Sequence, residues 1–174
     1  MSERIMFLDR DGVLNKKAPE HQYIRSWREF QFLDGAIEGV VRFCRMGYRV
    51  VVVTNQRGIA RGLVPPGALD EIHSRMCKAV QERGGEISGV FVCPHEKNTC
   101  QCRKPEIGLF LQAGALWDVD KAHSWMIGDS ESDILAGKRY GVKTVLIGAG
   151  AFGQDFTAAS LLDAAERMKK ELEL

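Results

Sequence analysis

Short apolar runs alternate along the chain with longer stretches of helical spacing. Residues 5–8 (IMFL) are apolar and stop abruptly at Asp9-Arg10-Asp11-Gly12. Residues 49–53 (RVVVV) form a β-branched run that ends at Thr54-Asn55, the pattern of a buried parallel strand. Residues 89–93, 124–127 and 143–147 read as three further strands. Between them, 36–46 places Ile37, Val40, Val41 and Cys44 on one helical face, and Gly47 follows as a stop. Residues 67–83 start after Pro65-Pro66 and end at Gly84-Gly85. The spacing predicts further helices over 107–116, 132–140 and 158–172. Residues 15–31, rich in charge and aromatics, predict a loop or small insertion.

Repeated strand–helix units predict an α/β fold with a parallel sheet covered on both faces and right-handed crossovers. In such sheets a ligand sits beyond the carboxyl ends of the strands. The polar groups lie there: Asp9 and Asp11 after the first strand, Thr54 and Asn55 after the second, Asp129 after the fourth. The whole chain, 1–174, reads as one domain, with no internal repeat or linker.

Composition narrows the classes. The chain has 174 residues, 45% of them hydrophobic, and a formal net charge of +1. That size suits one sizeable core, and the hydrophobic content argues against disorder. A balanced charge argues against a nucleic-acid binder with a broad basic face. No apolar stretch reaches the roughly 18 residues of a membrane span, and charge interrupts the first apolar run, so neither signal peptide nor membrane contact is expected. A soluble cytoplasmic protein is the expectation. Five cysteines, an odd number, do not suggest a disulfide framework. Cys44 and Cys77 sit singly in helical patterns and read as buried small hydrophobes.

Asp9 and Asp11 are two positions apart after a strand. Carboxylates so close repel unless a cation lies between them, though an isolated pair of this kind can simply cap a turn. With Asp129 they offer the few hard oxygen ligands that Mg²⁺ prefers, water and a phosphate filling the rest. The residues around them point further. Phe7-Leu8-Asp9-Arg10-Asp11-Gly12, then Thr54-Asn55, then Lys104, then Gly128-Asp129 with Asp133, resemble the four ordered motifs of the haloacid-dehalogenase (HAD) phosphatase superfamily. The resemblance spans nearly the whole chain. It implies a Rossmann-like three-layer sandwich around a central parallel sheet. It also implies roles. Asp9 is the nucleophile that forms an aspartyl phosphate. Asp11 is the acid and then the base, and its backbone carbonyl is a further magnesium ligand. Thr54 and Lys104 hold the phosphoryl oxygens, and Asp129 holds the metal with Asp9 and Asp11. Asp133 orients the loop or the lysine from behind, or is simply an acid in a helix's first turn.

Cys93-Pro94-His95 and Cys100-Gln101-Cys102 put three thiols and one imidazole within ten positions. Four such ligands fill a closed tetrahedral Zn²⁺ site, leaving no open catalytic position, so the metal is expected to be structural. Arg103 and Lys104 follow Cys102 directly, so fixing the cluster fixes them; Arg103 is placed to fork to a second anionic group. The CPH…CxCRKP pattern resembles the zinc-containing branch of the superfamily, which includes heptose-bisphosphate phosphatases and histidinol-phosphate phosphatase domains. The stretch 54–62 (TNQRGIARG), the aromatic-flanked 23–32 and Asp34-Gly35 are similar to the heptose members. The arc of four residues between His95 and Cys100 is nearer in length to the histidinol-phosphate members. Resemblance to the heptose members also makes Glu20, His21, Gln22 and Tyr23 candidate substrate contacts. Asn55, Gln56, Arg57, Arg61 and Arg103 join them. His73 and His123 have no motif support and read as structural.

The expected partner is therefore a small phosphorylated metabolite, with heptose bisphosphate ahead of histidinol phosphate. A zinc-stabilised binding module without catalysis would lack Asp9, Asp11, Lys104 or Asp129, and all four are present. The segment before Arg49 is too short for a large cap domain, which favours transfer to water over transfer between sugars. With no cap to share, a monomer suffices.

Overall fold

The structure, a computed structural model, describes residues 1–172; the last two positions of the expected 1–174 domain lie outside the described residues. The chain runs β1 (Ile5–Leu8), α1 (Ala36–Arg45), β2 (Arg49–Asn55), α2 (Pro66–Glu82), β3 (Gly89–Cys93) and α3 (Gly108–Gly114). It continues through β4 (Trp125–Gly128), α4 (Glu131–Tyr140), β5 (Lys143–Ile147), β6 (Phe156–Ala158) and α5 (Leu161–Leu172). All strand pairs are parallel, in the order β3-β2-β1-β4-β5-β6. The order reverses between β1 and β4, the switch point at which open α/β sheets bind ligands.

The strand pleat sorts side chains into two cores. Met6, Leu8, Val50, Val52 and Ile127 pack with α1, α2 and α5 residues such as Val40, Ile72 and Ala164. Ile5, Phe7, Val51, Val53 and Met126 pack on the other face with Leu109, Phe110 and Ala136 of α3 and α4. Central strands are thus buried on both faces, which is why their sequences are continuous apolar runs rather than alternating ones. The three-layer, Rossmann-like arrangement expected from the sequence is present. No described helix is long and apolar enough to cross a membrane.

Several expectations need correction. A sixth strand, β6, was not expected; its last residue, Ala158, lies where the sequence predicted the start of the last helix, which begins at Leu161. A three-residue strand with only Ala158 buried leaves too short a pattern to read. β2 extends through Thr54 and Asn55, so these two close the strand rather than follow it. Cys44 and Cys77 are half-buried, not core residues. Residues 15–31 form a loop that contains one short 3₁₀ turn at Trp27–Glu29.

Candidate active site

The turn after β1 is built on the Arg10 carbonyl, which accepts from the amides of Val13, Leu14 and Asn15. Gly12 at φ 87 makes that turn possible, and a Cβ there would lie 2.1 Å from Asp129 Oδ2. Glycine therefore lets the β1 and β4 loops close on one another. Asp9 emerges from β1 and Asp129 from β4. Ligand oxygens of Asp9, Asp129 and Asp133 all lie within 4.8 Å of one another.

Lys104 is the centre of this group. It is buried, and its ammonium donates to Asp9 Oδ1 at 3.0 Å, to Asp133 Oδ1 at 2.6 Å and to the Val53 carbonyl at 2.7 Å. All three of its donors are thus used. Burial opposes its charge, but Asp133 and Asp9 outweigh that and raise its pKa. Asp133 Oδ2 accepts from the amides of Asp129 and Ser130 and from the Ser130 hydroxyl. Its two oxygens therefore tie the lysine to the β4 loop. Gly128 permits this approach, since a Cβ there would sit 2.1 Å from the Asp133 Cβ.

Asp9 is pushed up to about 8 by burial, then by Asp133, with Lys104 only partly offsetting. Asp129 is also raised by burial, against the Lys17 ammonium 2.6 Å from its Oδ2. Asp129 Oδ1 is buried without a hydrogen-bond partner. The carboxylates of Asp9, Asp129 and Asp133 outnumber the Lys17 and Lys104 ammoniums among them, and one of their oxygens lacks a donor. A hard divalent cation fits both deficits.

Asp11 takes a different posture. Its carboxylate accepts from Arg10 Nη2 at 2.9 Å, Asn15 Nδ2 at 2.9 Å and Gln56 Nε2 at 2.8 Å. Burial raises its pKa, yet the Arg10 charge and these bonds win and hold it below the usual carboxylate range. Asp133 joins Asp9 and Asp129 in the carboxylate cluster, while the Asp11 side chain is held by its own three donors.

The expected substrate contacts divide. Glu20, His21, Gln22 and Tyr23 line a cavity of about 250 Å³ with Arg10, Asp11, Lys17, Asn55 and Gln56. Glu20 and His21 are largely exposed there. Asn55 is committed elsewhere: its amide spans the Lys104 backbone, accepting from the amide at 3.0 Å and donating to the carbonyl at 3.1 Å. Gln56 donates to both Asp11 and Thr54 Oγ1. Arg57 and Arg61 both hold Glu96. Arg103 lines a second cavity of about 660 Å³ with Lys97, Lys104, Ser132 and Arg139, and its Nη1 is buried without a partner.

Cys93, His95, Cys100 and Cys102 come together as expected, with ligand atoms within 4.8 Å. Cys93 and Cys100 sulfurs are 3.6 Å apart, and His95 Nδ1 lies 3.2 Å from Cys102 and 3.5 Å from Cys93. Ligands at zinc bond lengths on a tetrahedron are about 3.3–3.8 Å apart. The thiols cannot all ionise unaided. Burial and the neighbouring sulfurs push Cys102 up to about 12. Cys100, against its own burial, comes down to about 7 through the Arg103 and Cys102 amides. A bound cation removes that conflict.

Three residues of the site were not found by sequence reasoning. Arg10 is fully buried, lies over the Phe30 ring and donates to both Asp11 and His73 Nε2. An arginine can only donate, so His73 accepts through Nε2 and stays neutral; burial and Arg10 lower it to about 4. His73 follows Ile72 on the buried face of α2 with Leu69, Met76 and Val80, a spacing that marks it as internal. Lys17 offered no signal beyond its nearness to the first motif. His123, by contrast, is exposed and pairs with Asp120.

Comparison with known proteins places this geometry. A family model described as HAD-hydrolase-like matches residues 101–169. The D-glycero-beta-D-manno-heptose-1,7-bisphosphate 7-phosphatase of Pasteurella multocida is 39% identical over 85% of this chain and 83% of its own. The protein of that name from Vibrio cholerae is 37% identical over 84% and 82%. The crystal structure of D,D-heptose 1,7-bisphosphate phosphatase from B. bronchiseptica, complexed with magnesium and phosphate, superposes with a TM-score of 0.88. It is 31% identical, covering 97% of this chain and 99% of that one. With this identity over most of both chains, the protein belongs to the HAD-like phosphatases, in the family of the heptose-bisphosphate 7-phosphatases, and is a phosphoric monoester hydrolase.

Proposed function

We propose that the chain hydrolyses the 7-phosphate of D-glycero-D-manno-heptose 1,7-bisphosphate through an aspartyl phosphate on Asp9. One observation carries the chemistry: a buried lysine bridging Asp9 and Asp133 at the β1/β4 switch point. Asp9 attacks phosphorus, and the bond to the sugar oxygen breaks. The Thr54 hydroxyl donates to a phosphoryl oxygen, and Lys104, bonded to Asp9 and Asp133, supplies positive charge beside the phosphoryl group as negative charge spreads over it. Asp11 gives a proton to the leaving oxygen and then takes one from the water that hydrolyses the acyl phosphate. Its three donors favour the carboxylate, which suits the second half; the nearby phosphate charge raises its proton affinity for the first. Magnesium held by Asp9, Asp129 and the Asp11 main-chain carbonyl supplies charge that lets an anionic nucleophile approach a phosphate.

The leaving sugar is read as lying against residues 20–23, Arg57 and Arg61, with the unpartnered Arg103 Nη1 available to its second phosphate. Zinc held by Cys93, His95, Cys100 and Cys102 fixes the segment that carries Arg103 and Lys104. A second reading, histidinol phosphate, rests on the short arc Glu96 to Thr99 between two of those ligands. Rates on the two substrates, with magnesium present, test the choice. Greater efficiency on the heptose bisphosphate is expected, and the reverse order overturns the assignment.

A further inference from the structure

The zinc-ready loop touches the rim of the cleft at one side chain that no role above requires. Glu96 follows His95, and its carboxylate accepts from the Lys97 amide at 3.0 Å, from Arg57 Nη1 at 3.2 Å and from Arg61 Nε at 3.0 Å. Its own carbonyl accepts from the Thr99 hydroxyl, closing the short arc. The Lys97 amide and then Arg61 hold the carboxyl down to about 2. On the other side, residues 56–64 form a compact turn closed by Arg61 N to Arg57 O and by Leu63 N and Val64 N to Gly58 O. Tyr23 packs on that turn, for a Cβ on Gly58 would meet its ring at 2.9 Å. The turn begins at Gln56, whose amide donates to the Cys93 carbonyl and whose side chain holds Asp11 and Thr54. Three loops with separate origins therefore meet: 15–31, 56–64 and the thiol loop. Glu96 joins the last two through both arginines.

We propose that Glu96 is a positioning residue that latches the thiol loop to the cleft rim and so determines where Arg57 and Arg61 meet the leaving group. That the rim faces the leaving group rests on the reading under Proposed function; the latch itself rests on geometry alone. Two arginines on one carboxylate are held by opposite oxygens, so the turn is fixed against both sliding and rotation. Exposed pairs of this kind are individually weak, which suits a specificity device: their loss shifts a contact without unfolding the chain.

The test is Glu96→Gln in the full, metal-loaded chain. Two quantities are read: hydrogen exchange of the amides at 57–64, and kinetics on heptose 1,7-bisphosphate against para-nitrophenyl phosphate, whose leaving group is not a sugar. Exchange at 61–64 should quicken about 5-fold, the scale of two exposed pairs, with no change in β1 or β4. KM for the bisphosphate should rise by a similar factor at unchanged kcat, the aryl phosphate should be turned over as before, and Glu96→Asp should restore part of the loss. Unchanged exchange overturns the latch. An unchanged KM overturns its role in specificity. A lowered KM does so too, because it makes Glu96 a competitor for the arginines rather than their support. Failure of the unsubstituted protein on the bisphosphate would instead remove the substrate reading and leave the exchange result to judge the latch.

Discussion

The carboxylate crevice and the thiol loop are both metal-ready clusters, joined by the peptide bond between Arg103 and Lys104, yet they are made in opposite ways. The crevice gathers groups from distant segments: Lys104 and Asp9 are 95 positions apart. Its parts are held by a parallel sheet with a double-sided core. The loop draws all four ligands from ten consecutive positions, with His95 exposed and only Cys93 buried. Cys93 is anchored in the core and Cys100 and Cys102 pack against it, and a metal on the four ligands would add to that order. The crevice, then, spends stability on reactivity, while the loop offers a local set of ligands two positions before Lys104.

The contrast breaks most sharply at Asp9. Asp9→Asn should lower turnover by at least about 10³-fold, as expected when a covalent nucleophile is lost. Its melting temperature should stay level or rise, because burial and then Asp133 disfavour a negative charge at this position. Steady-state assay with thermal melting checks both, and normal turnover would refute covalent catalysis there. Cys102→Ser should do the reverse. Metal content, read by elemental analysis, should fall, and melting should drop by several degrees, on the order of 2 kcal/mol for a chain of this size. Activity should follow as the Lys104 segment loosens. A chelator that strips the loop without changing melting or activity would erase the distinction.

A pH effect sharpens the comparison within the crevice. His73 has a folded pKa of about 4, below its ordinary 6.5. The unfolded chain therefore takes up the proton first as pH falls. Stability fully present above pH 6.5 is lost progressively toward pH 4, by up to about 3 kcal/mol at 1.36 kcal/mol per unit. His73→Gln should flatten that part of the curve, measured as the difference in urea midpoints between the two proteins across this window.

The two regions also differ in how far they could be read from residues alone. The thiol loop was complete in the sequence, since its ligands are neighbours and their spacing is the signal. In the crevice, Asp9, Thr54, Lys104 and Asp129 were legible because each ends a strand or carries a motif. Arg10 was not, because arginine is almost never fully buried without partners, and its partners Asp11 and His73 are joined to it only by the fold. Asn55 and Gln56 read as contacts for a ligand, and they line the cavity, but the bonds of the Asn55 amide to Lys104 and of Gln56 Nε2 to Asp11 and Thr54 carried no sequence signal. Sequence gives the type of a polar side chain and not which way it turns. β6 was missed for want of length.

The arc from Glu96 to Thr99 is closed at both ends, by His95 and by Cys100. Insertions between such moorings bulge outward, while the residues beyond Cys102 keep their place. Substrate range in a protein of this plan is thus open to drift by lengthening or trimming one short span, with the reactive lysine sheltered from every such change.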